Sequence, residues 1–523
     1  MFSQLMELIM ETSAEDELID DWVRQIILAD NNLVDLEEGY PLTADGSRPR
    51  KVKRVDYSRG KKEVKPSEGK VDPRTFLRWC LWIADPEIRD PTSRAGKRFR
   101  KLFRLPFVIF EAVVASCKST GDSLFVYGLK NCCGEYSIPL EIKILFSLRV
   151  LAGGTKIADA AEMSGFMSNS EGNNFFSKFV VEFALIFEHI HIRPLEGDEL
   201  LRSMSTYARL GLPGCIGSID ATFVPWGRVP KDDHNLCDGD KGVGALFEAV
   251  VTHERLVCAV GGFFGATISD KISVKYSEYV EAVKQKVIGP DIKYKIRTGL
   301  GEEDFIEIDR IYLVADGGYV HWPEIICGFP YSNDPFEYKF TDWVASVRKD
   351  VECFFGLLKC RFQYFNRPSK VDTAKLLRSI FVTACILHNM ILRHDGLNNL
   401  WEQELNWSRL NGEGDVVEEE DDGEENLEEN FVDSYLPVIF DRNTFHPVRL
   451  AEIPPIAYYG EVSVEVREFL TLRDLLSRHL HYTYATGNLR WPKVRKNCVQ
   501  GVLDLNQVIR EHFPGAGDDV DEV

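Results

Sequence analysis

Residues 215–226, CIGSIDATFVPW, mark the point where the hydrophobic period of this chain changes. Upstream, apolar residues recur at helical spacing in FLRWCLWIA, FVIFEAVVASC and LEIKILFSLRVLAGG. After the LPG at 212–214 the pattern reads as a strand. The same reading extends outward. ALFEAVVTHERLVCAVGGFFG (245–265) reads as two strands joined by a THER turn, and IYLVADGGY (311–319) as a further strand. Residues 273–286 suit a helix. TDWVASVRKDVECFFGLLKCRFQYF (341–365) predicts a long helix capped by Thr341 or Asp342. DTAKLLRSIFVTACILHNMILRHDG (372–396) predicts a second, starting at Asp372 or Thr373 and stopped by Gly396. The order strand, hairpin, helix, strand, helix, helix predicts a mixed α/β core.

Before that core, GTKIADAAEMSGFMSNSEGNNFFSKFVVEFALIF reads as helix, tight turn, helix. Thr155 is the expected first cap, Gly165 the turn, and Ser168 the cap of a helix carrying Phe175, Phe176, Phe179 and Phe183. DNA-reading helix-turn-helix units and ordinary helical hairpins share this pattern. The expected organisation has five parts. Residues 1–70 are largely disordered and basic toward their end. Residues 71–204 form a helical domain with the helix-turn-helix-like unit. Residues 205–400 form the α/β core, 401–435 an acidic linker, and 436–523 an extension with one main helix, SVEVREFLTLRDLLSRHLHYTY.

The net charge of −20 is segregated rather than spread. Residues 413–430 hold 11 acids and no base, and the last six residues hold 4 acids; without these two segments the charge is −5. Residues 48–70 carry 10 Lys/Arg against 3 acids, and RAGKRFRKLFR (94–104) carries 6 Lys/Arg and no acid. Acidic blocks of this kind are solvated tails, and basic blocks can track phosphates. RPRKVKR (48–54), with Lys51, Lys53 and Arg54, fits a nuclear-import patch or a DNA arm. The 12 cysteines form no CxxC pair, which suggests reduced core thiols in an intracellular protein rather than a disulfide framework or a zinc site. The acidic N-terminus does not read as a signal peptide, and the apolar run around Glu111 is too short to span a membrane.

Asp220 ends CIGSID as Asp316 ends IYLVAD. Both carboxylates are expected to leave the apolar core where a strand ends. An Asp at such a place is a turn residue, half of an ion pair, or a ligand for a cation. If the two strands are neighbours, the acids lie side by side and repel unless a cation intervenes. Glu352 lies at the margin of an apolar helix face formed by Val351, Phe354, Phe355, Leu358 and Phe362. It is either a third acid for a two-metal site or a simple i,i+4 partner of Arg348. Arg348, Lys349, Lys359 and Arg361 flank it and can hold DNA phosphates. His388, on an apolar helix, reads as a core histidine bonded to backbone. DHNLCDGDKG (233–242) reads as a mobile connection between strands.

Four motifs in order carry a resemblance to a known family. GCIGSIDATFVPW, YLVADGGYVHWP, SVRKDVECFFGLLKCRFQ and ACILHNMI resemble the first-Asp strand, second-Asp strand, Glu helix and following helix of Harbinger-type transposases and the plant transposon proteins, DDE-superfamily endonucleases. LTLRDLLSRHLHYTYATG resembles the helix that closes many members. The resemblance covers about 205–395 well and the helical region before it more loosely. Phe223 stands where many relatives carry His, and Cys353 where a basic residue is common.

The resemblance implies an RNase H-like mixed-sheet core behind an all-helical N-terminal domain. It implies that Asp220, Asp316 and Glu352 hold two Mg²⁺ ions, with Mn²⁺ as a substitute. Asp220 would bridge both ions, Asp316 would hold one and Glu352 the other. The 35 residues between Asp316 and Glu352 suit DDE enzymes. The implied activity is Mg²⁺-dependent cleavage of double-stranded DNA at terminal inverted repeats, with strand transfer into a target site. The alternative is a domesticated DNA-binding protein or nuclease derived from such an enzyme. The implied setting is the nucleus, or the cytoplasm without a partner. The implied partners are a separate Myb-like DNA-binding protein and, because two ends are cut, a second copy of the chain.

Overall fold

A computed structural model describes residues 83, 85–122, 124–125, 138–164, 167–301, 304–330, 334–396 and 462–485, with two-residue strands at 407–408, 438–439 and 491–492. The basic arm with Lys51, Lys53 and Arg54, the acidic 413–430 run and Gly165 lie outside the described residues. The chain divides into two compact units, residues 1–150 with 155–176, and residues 151–154 with 177–523.

Helices α1 (Arg94–Phe103), α2 (Phe107–Ser119), α3 (Leu140–Gly153), α4 (Ile157–Ser164) and α5 (Asn169–His191) come first. In the first unit, Ser93 caps α1 by accepting from the Gly96 N–H. Phe99 and Phe103 on α1 are buried with their rings tilted against each other, centroids 4.6 Å apart, while Arg94, Lys97, Arg98 and Lys101 are exposed. The basic block is therefore a charged helix face. Ser168 caps α5 as expected, accepting from the Glu171 N–H at 3.1 Å. Thr155 does not cap α4; its hydroxyl is buried with no hydrogen-bond partner among the described residues. Phe175, Phe176, Phe179 and Phe183 are all buried.

The second unit continues with α6 (Gly197–Arg209), β1 (Cys215–Pro225), the short α7 (His234–Cys237), β2 (Asp238–Gly239), β3 (Gly242–Val251), β4 (Val257–Val260) and β5 (Phe264–Gly265). Then come α8 (Asp270–Ser273), α9 (Glu278–Lys284), β6 (Ile292–Arg297), β7 (Phe305–Ile308), β8 (Tyr312–Val314) and β9 (Ile325–Ile326). It closes with α10 (Pro335–Arg361), α11 (Ala374–His394), β10 (Trp407–Ser408), β11 (Val438–Ile439), α12 (Val464–Ala485) and β12 (Trp491–Pro492). The main sheet runs β2-β3-β1-β8-β9, with β4 and β5 also paired to β3. β1 is antiparallel to β3, whereas β8 is parallel to both β1 and β9. This is a mixed sheet, as the order of elements predicts.

Successive residues of its central strands face opposite sides. Ile216, Ile219, Leu313, Ala315 and Ile325 join one core with Leu200 and Met204 of α6 and Tyr279, Val280 and Val283 of α9. Cys215, Tyr312, Val314 and Ile326 join the other with Phe340, Val344 and Val347 of α10 and Phe469, Leu472 and Leu476 of α12. Both faces are thus covered by helices.

Several expectations shift. α10 starts six residues before Thr341, capped by Asp334, which accepts from the Phe336 N–H; Thr341 instead accepts from the Phe329 N–H within the helix. Residues 273–286 break into a 3-10 turn at Val274–Tyr276 and the short α9. The β6–β7 hairpin is an addition to the expected order. DHNLCDGDKG connects β1 to β3 and holds α7 and β2. Helix α11 is long and apolar enough to cross a membrane by length and composition, but 78% of that stretch is buried inside the fold.

Candidate active site

The sheet register sets the site. Ser218 on β1 pairs with Val314 on the parallel β8. Two residues further along each path come Asp220 and Asp316, so the two acids arrive at the same level of neighbouring strands. Asp220 lies in the middle of β1, which runs on to Pro225. The expectation that it sits at a strand's end is corrected: β3 continues beside it, pairing Asp220 with Ala249. Asp316 does sit just past the end of β8. Its carboxylate accepts from the Gly318 N–H at 2.7 Å.

Helix α10 crosses β1 and brings Arg348 and Glu352. Arg348 Nη1 donates to Asp220 Oδ2 at 2.8 Å, and its Nη2 reaches Glu352 Oε1 at 2.5 Å. The i,i+4 pairing of Arg348 with Glu352 and the convergence of Glu352 on Asp220 therefore occur together, through one guanidinium. Burial raises Asp220 to about 6; the Ala221 N–H and Arg348 pull it down, while the charges of Asp316 and Asp270 push it up. The arginine does not offset all the negative charge gathered there.

Two acids that the motifs did not single out belong to the same neighbourhood. Asp270 opens α8 and is shifted upward, first by burial and then by Asp316. Glu248, in the middle of β3, is raised to about 7 by burial, against hydrogen bonds from Ser277 and Ser273 and with the added repulsion of Asp270 and Asp220. The signal for Glu248 was present, since it is a lone charge inside the apolar ALFEAVV. Asp270 carried none, because it lies far along the chain from every strand acid.

Asp350, two residues before Glu352, fixes α10 on the sheet. Tyr207 Oη and Ser218 Oγ donate to its Oδ2 at 2.7 and 3.1 Å, and His253 Nδ1 stands 3.2 Å from its Oδ1. A second clamp uses the ACILHNMI residues. Arg361 donates to His388 Nδ1 at 2.8 Å, which leaves His388 Nε2 to carry the proton and donate to the Arg255 carbonyl at 2.9 Å. Burial first, then Arg361, lowers His388 to about 3, so it stays neutral, a core histidine on backbone as expected. Asn389 accepts from the Val257 N–H and donates to the Val257 carbonyl, pairing with β4 as a neighbouring strand would.

Of the four helix bases expected to face phosphate, Lys349 is exposed. Arg348 is engaged by the two acids and Arg361 by His388. Lys359 donates to the Phe223 carbonyl at 3.0 Å, and burial lowers its pKa. Among the described residues, no group of three or more His, Cys, Asp or Glu side chains is arranged to hold a metal ion. On the Asp220–Glu352 side the Arg348 guanidinium links the two carboxylates. The donor chemistry nevertheless fits a hard divalent cation: every candidate atom is a carboxylate oxygen, and the gathered charge is under-compensated.

Neither curated proteins nor solved structures give a match to the chain. Residues 192–398 match the family model described as plant transposon protein, which supports a transposon-derived family for this segment.

Proposed function

We propose that the chain is a Harbinger-like DDE transposase, a Mg²⁺-dependent endonuclease that cleaves element ends and transfers the freed strand to target DNA. The observation that supports this reading is the link between acids from distant segments. Asp220 and Glu352 share one guanidinium, and Asp220 feels the charge of Asp316. The sheet order supports an RNase H-like core: an antiparallel β4-β3-β1 side continues into parallel β8 and β9. The transposon-family match over 192–398 covers all three acids.

In this reading Asp220, Asp316 and Glu352 hold the divalent cations. Bound there, the cations supply a lowered pKa for the attacking water or 3′-hydroxyl and a counter-charge for the leaving oxygen. The protein's own part is positional. Asp350 and its hydroxyl partners keep α10 against β1, so that Glu352 stays opposite Asp220. Arg348 balances both acids, and its guanidinium is of the kind that would hold a phosphate oxygen. Buried Tyr207 and Ser218 hold Asp350 through their hydroxyls.

The test is incubation of the protein and its Asp316→Asn variant with Mg²⁺ and DNA carrying the inverted repeats that flank its own locus. The native protein cleaves at the repeat ends and the variant does not. Equal nicking by both removes Asp316 from the chemistry. A second reading, a DNA-binding protein descended from such an enzyme, is favoured by Arg348 alone, because it already pairs both Asp220 and Glu352. Under that reading the protein binds the repeats without cutting them.

A further inference from the structure

Gly318 marks a second cation position. A Cβ at residue 318 would stand 2.9 Å from Asp316 Oδ1 and 3.2 Å from Asp270 Oδ2. The two carboxylate oxygens therefore flank one small space, and they are no more than about 6 Å apart. That space exists because residue 318 has no side chain. Backbone conformation is not the reason, since neither Gly317 nor Gly318 has a positive φ. Nothing lies within 4 Å of a Cβ at Gly317, and only Gly318 faces the acids.

Among the described residues, neither Asp270 nor Asp316 forms an ion pair; Lys241 reaches Asp270 only as a weaker influence than burial and Asp316. Two carboxylates this close repel each other unless a cation lies between them. Tyr319, the next residue after Gly318, adds a second observation. Tyr319 is fully buried, and its hydroxyl has no hydrogen-bond partner among the described residues. That hydroxyl feels the charges of Glu248, Asp220, Asp270 and Asp316. An unpaired buried donor among four acids is costly unless it completes a polar site.

We propose that Asp270 and Asp316 together hold a divalent cation in the space left by Gly318, with the Tyr319 hydroxyl donating into that site. Asp270 is then a fourth carboxylate beside Asp220, Asp316 and Glu352. Mg²⁺ and Mn²⁺ are commonly held by one or two carboxylates, with waters and phosphate oxygens filling the other positions. A pair of acids is therefore enough, and a cluster of three is not required. The inference rests on the proposed function for the role of Asp316 and extends it to Asp270.

The test is titration of the full chain with Mn²⁺ alone, read by the loss of the free-ion electron paramagnetic resonance signal. Asp270→Asn removes a ligand. Gly318→Ala keeps every carboxylate and places a methyl group between them, at a backbone conformation that alanine accepts. Each weakens Mn²⁺ binding roughly tenfold or more, while metal-free Gly318→Ala still melts in one cooperative transition. Native Mn²⁺ affinity in both variants overturns the inference, and if Asp316→Asn alone loses binding, the three-acid reading survives without it. Weakened binding in both variants, with Glu352→Gln still cutting DNA at the native rate, supports the inference and overturns the three-acid reading. Absence of Mn²⁺ binding by the native protein at millimolar concentration overturns the inference outright.

Discussion

At the scale of single residues, the site is a place where negative charge is held at a cost. Glu248 is about 1% exposed, and burial lifts it from an ordinary value of 4.5 to about 7. A carboxyl whose folded pKa is raised binds its proton more tightly in the folded state. Its contribution is full below the unfolded value and is lost as pH climbs from about 4.5 toward 7. We expect Glu248→Gln to leave the metal-free melting temperature unchanged near pH 4.5 and to raise it at pH 8. The gain corresponds to a few kcal/mol at most, because two pKa units are worth roughly 3 kcal/mol. Thermal melts in chelator at the two pH values measure this, and an equal shift at both would show that Glu248 is not strained by its charge. Asp220, raised to about 6, adds a loss of the same sign in the window from its ordinary value of 3.8 upward. Acids of this kind were visible in the sequence as charges inside apolar runs. Their shared location was not.

At the scale of elements, α10 and β1 are joined by a polar contact rather than by apolar packing alone. Tyr207 and Ser218 are both fully buried, and both donate to Asp350. Asp350→Ala strands two buried hydroxyls, each at about 1–3 kcal/mol. Asp350→Asn keeps an acceptor and loses less. Urea unfolding of the two variants should separate them by more than 1 kcal/mol, with alanine the less stable. Equal stability would mean the hydroxyls find other partners and that α10 is held by its apolar face. That face was legible from spacing: Val351, Phe354, Phe355, Leu358 and Phe362 are buried as the helical period requires. The start of α10 was misjudged because Pro335 follows Asp334, a cap-then-proline signal that the apolar pattern from Thr341 obscured. The β6–β7 hairpin was missed although IKYKIR alternates and its strands flank a glycine-containing turn.

At the scale of the second compact unit, the C-terminal helix completes the core. Phe469, Leu472, Leu476 and Leu480 of α12 are buried with Tyr294 and Ile296 of β6 and Phe340 and Val344 of α10. Four such side chains contribute about 1.5–3 kcal/mol each on burial. Together that is comparable to the roughly 5–15 kcal/mol that holds a typical domain folded. Deleting residues 462–523 should therefore abolish the cooperative thermal transition, and a truncated protein that melts like the full chain would show that α12 is dispensable. The sequence by itself determined most of the main elements and the buried helix faces, because hydrophobic period and capping chemistry act over a few residues at a time. The tertiary structure alone decided that β8 lies parallel beside β1, that Arg348 joins Asp220 to Glu352, and that Asp270 faces Asp316 across Gly318. Those meetings depend on strand pairing and helix crossing between segments from 46 to more than 130 positions apart, where no local pattern carries the distance between two side chains.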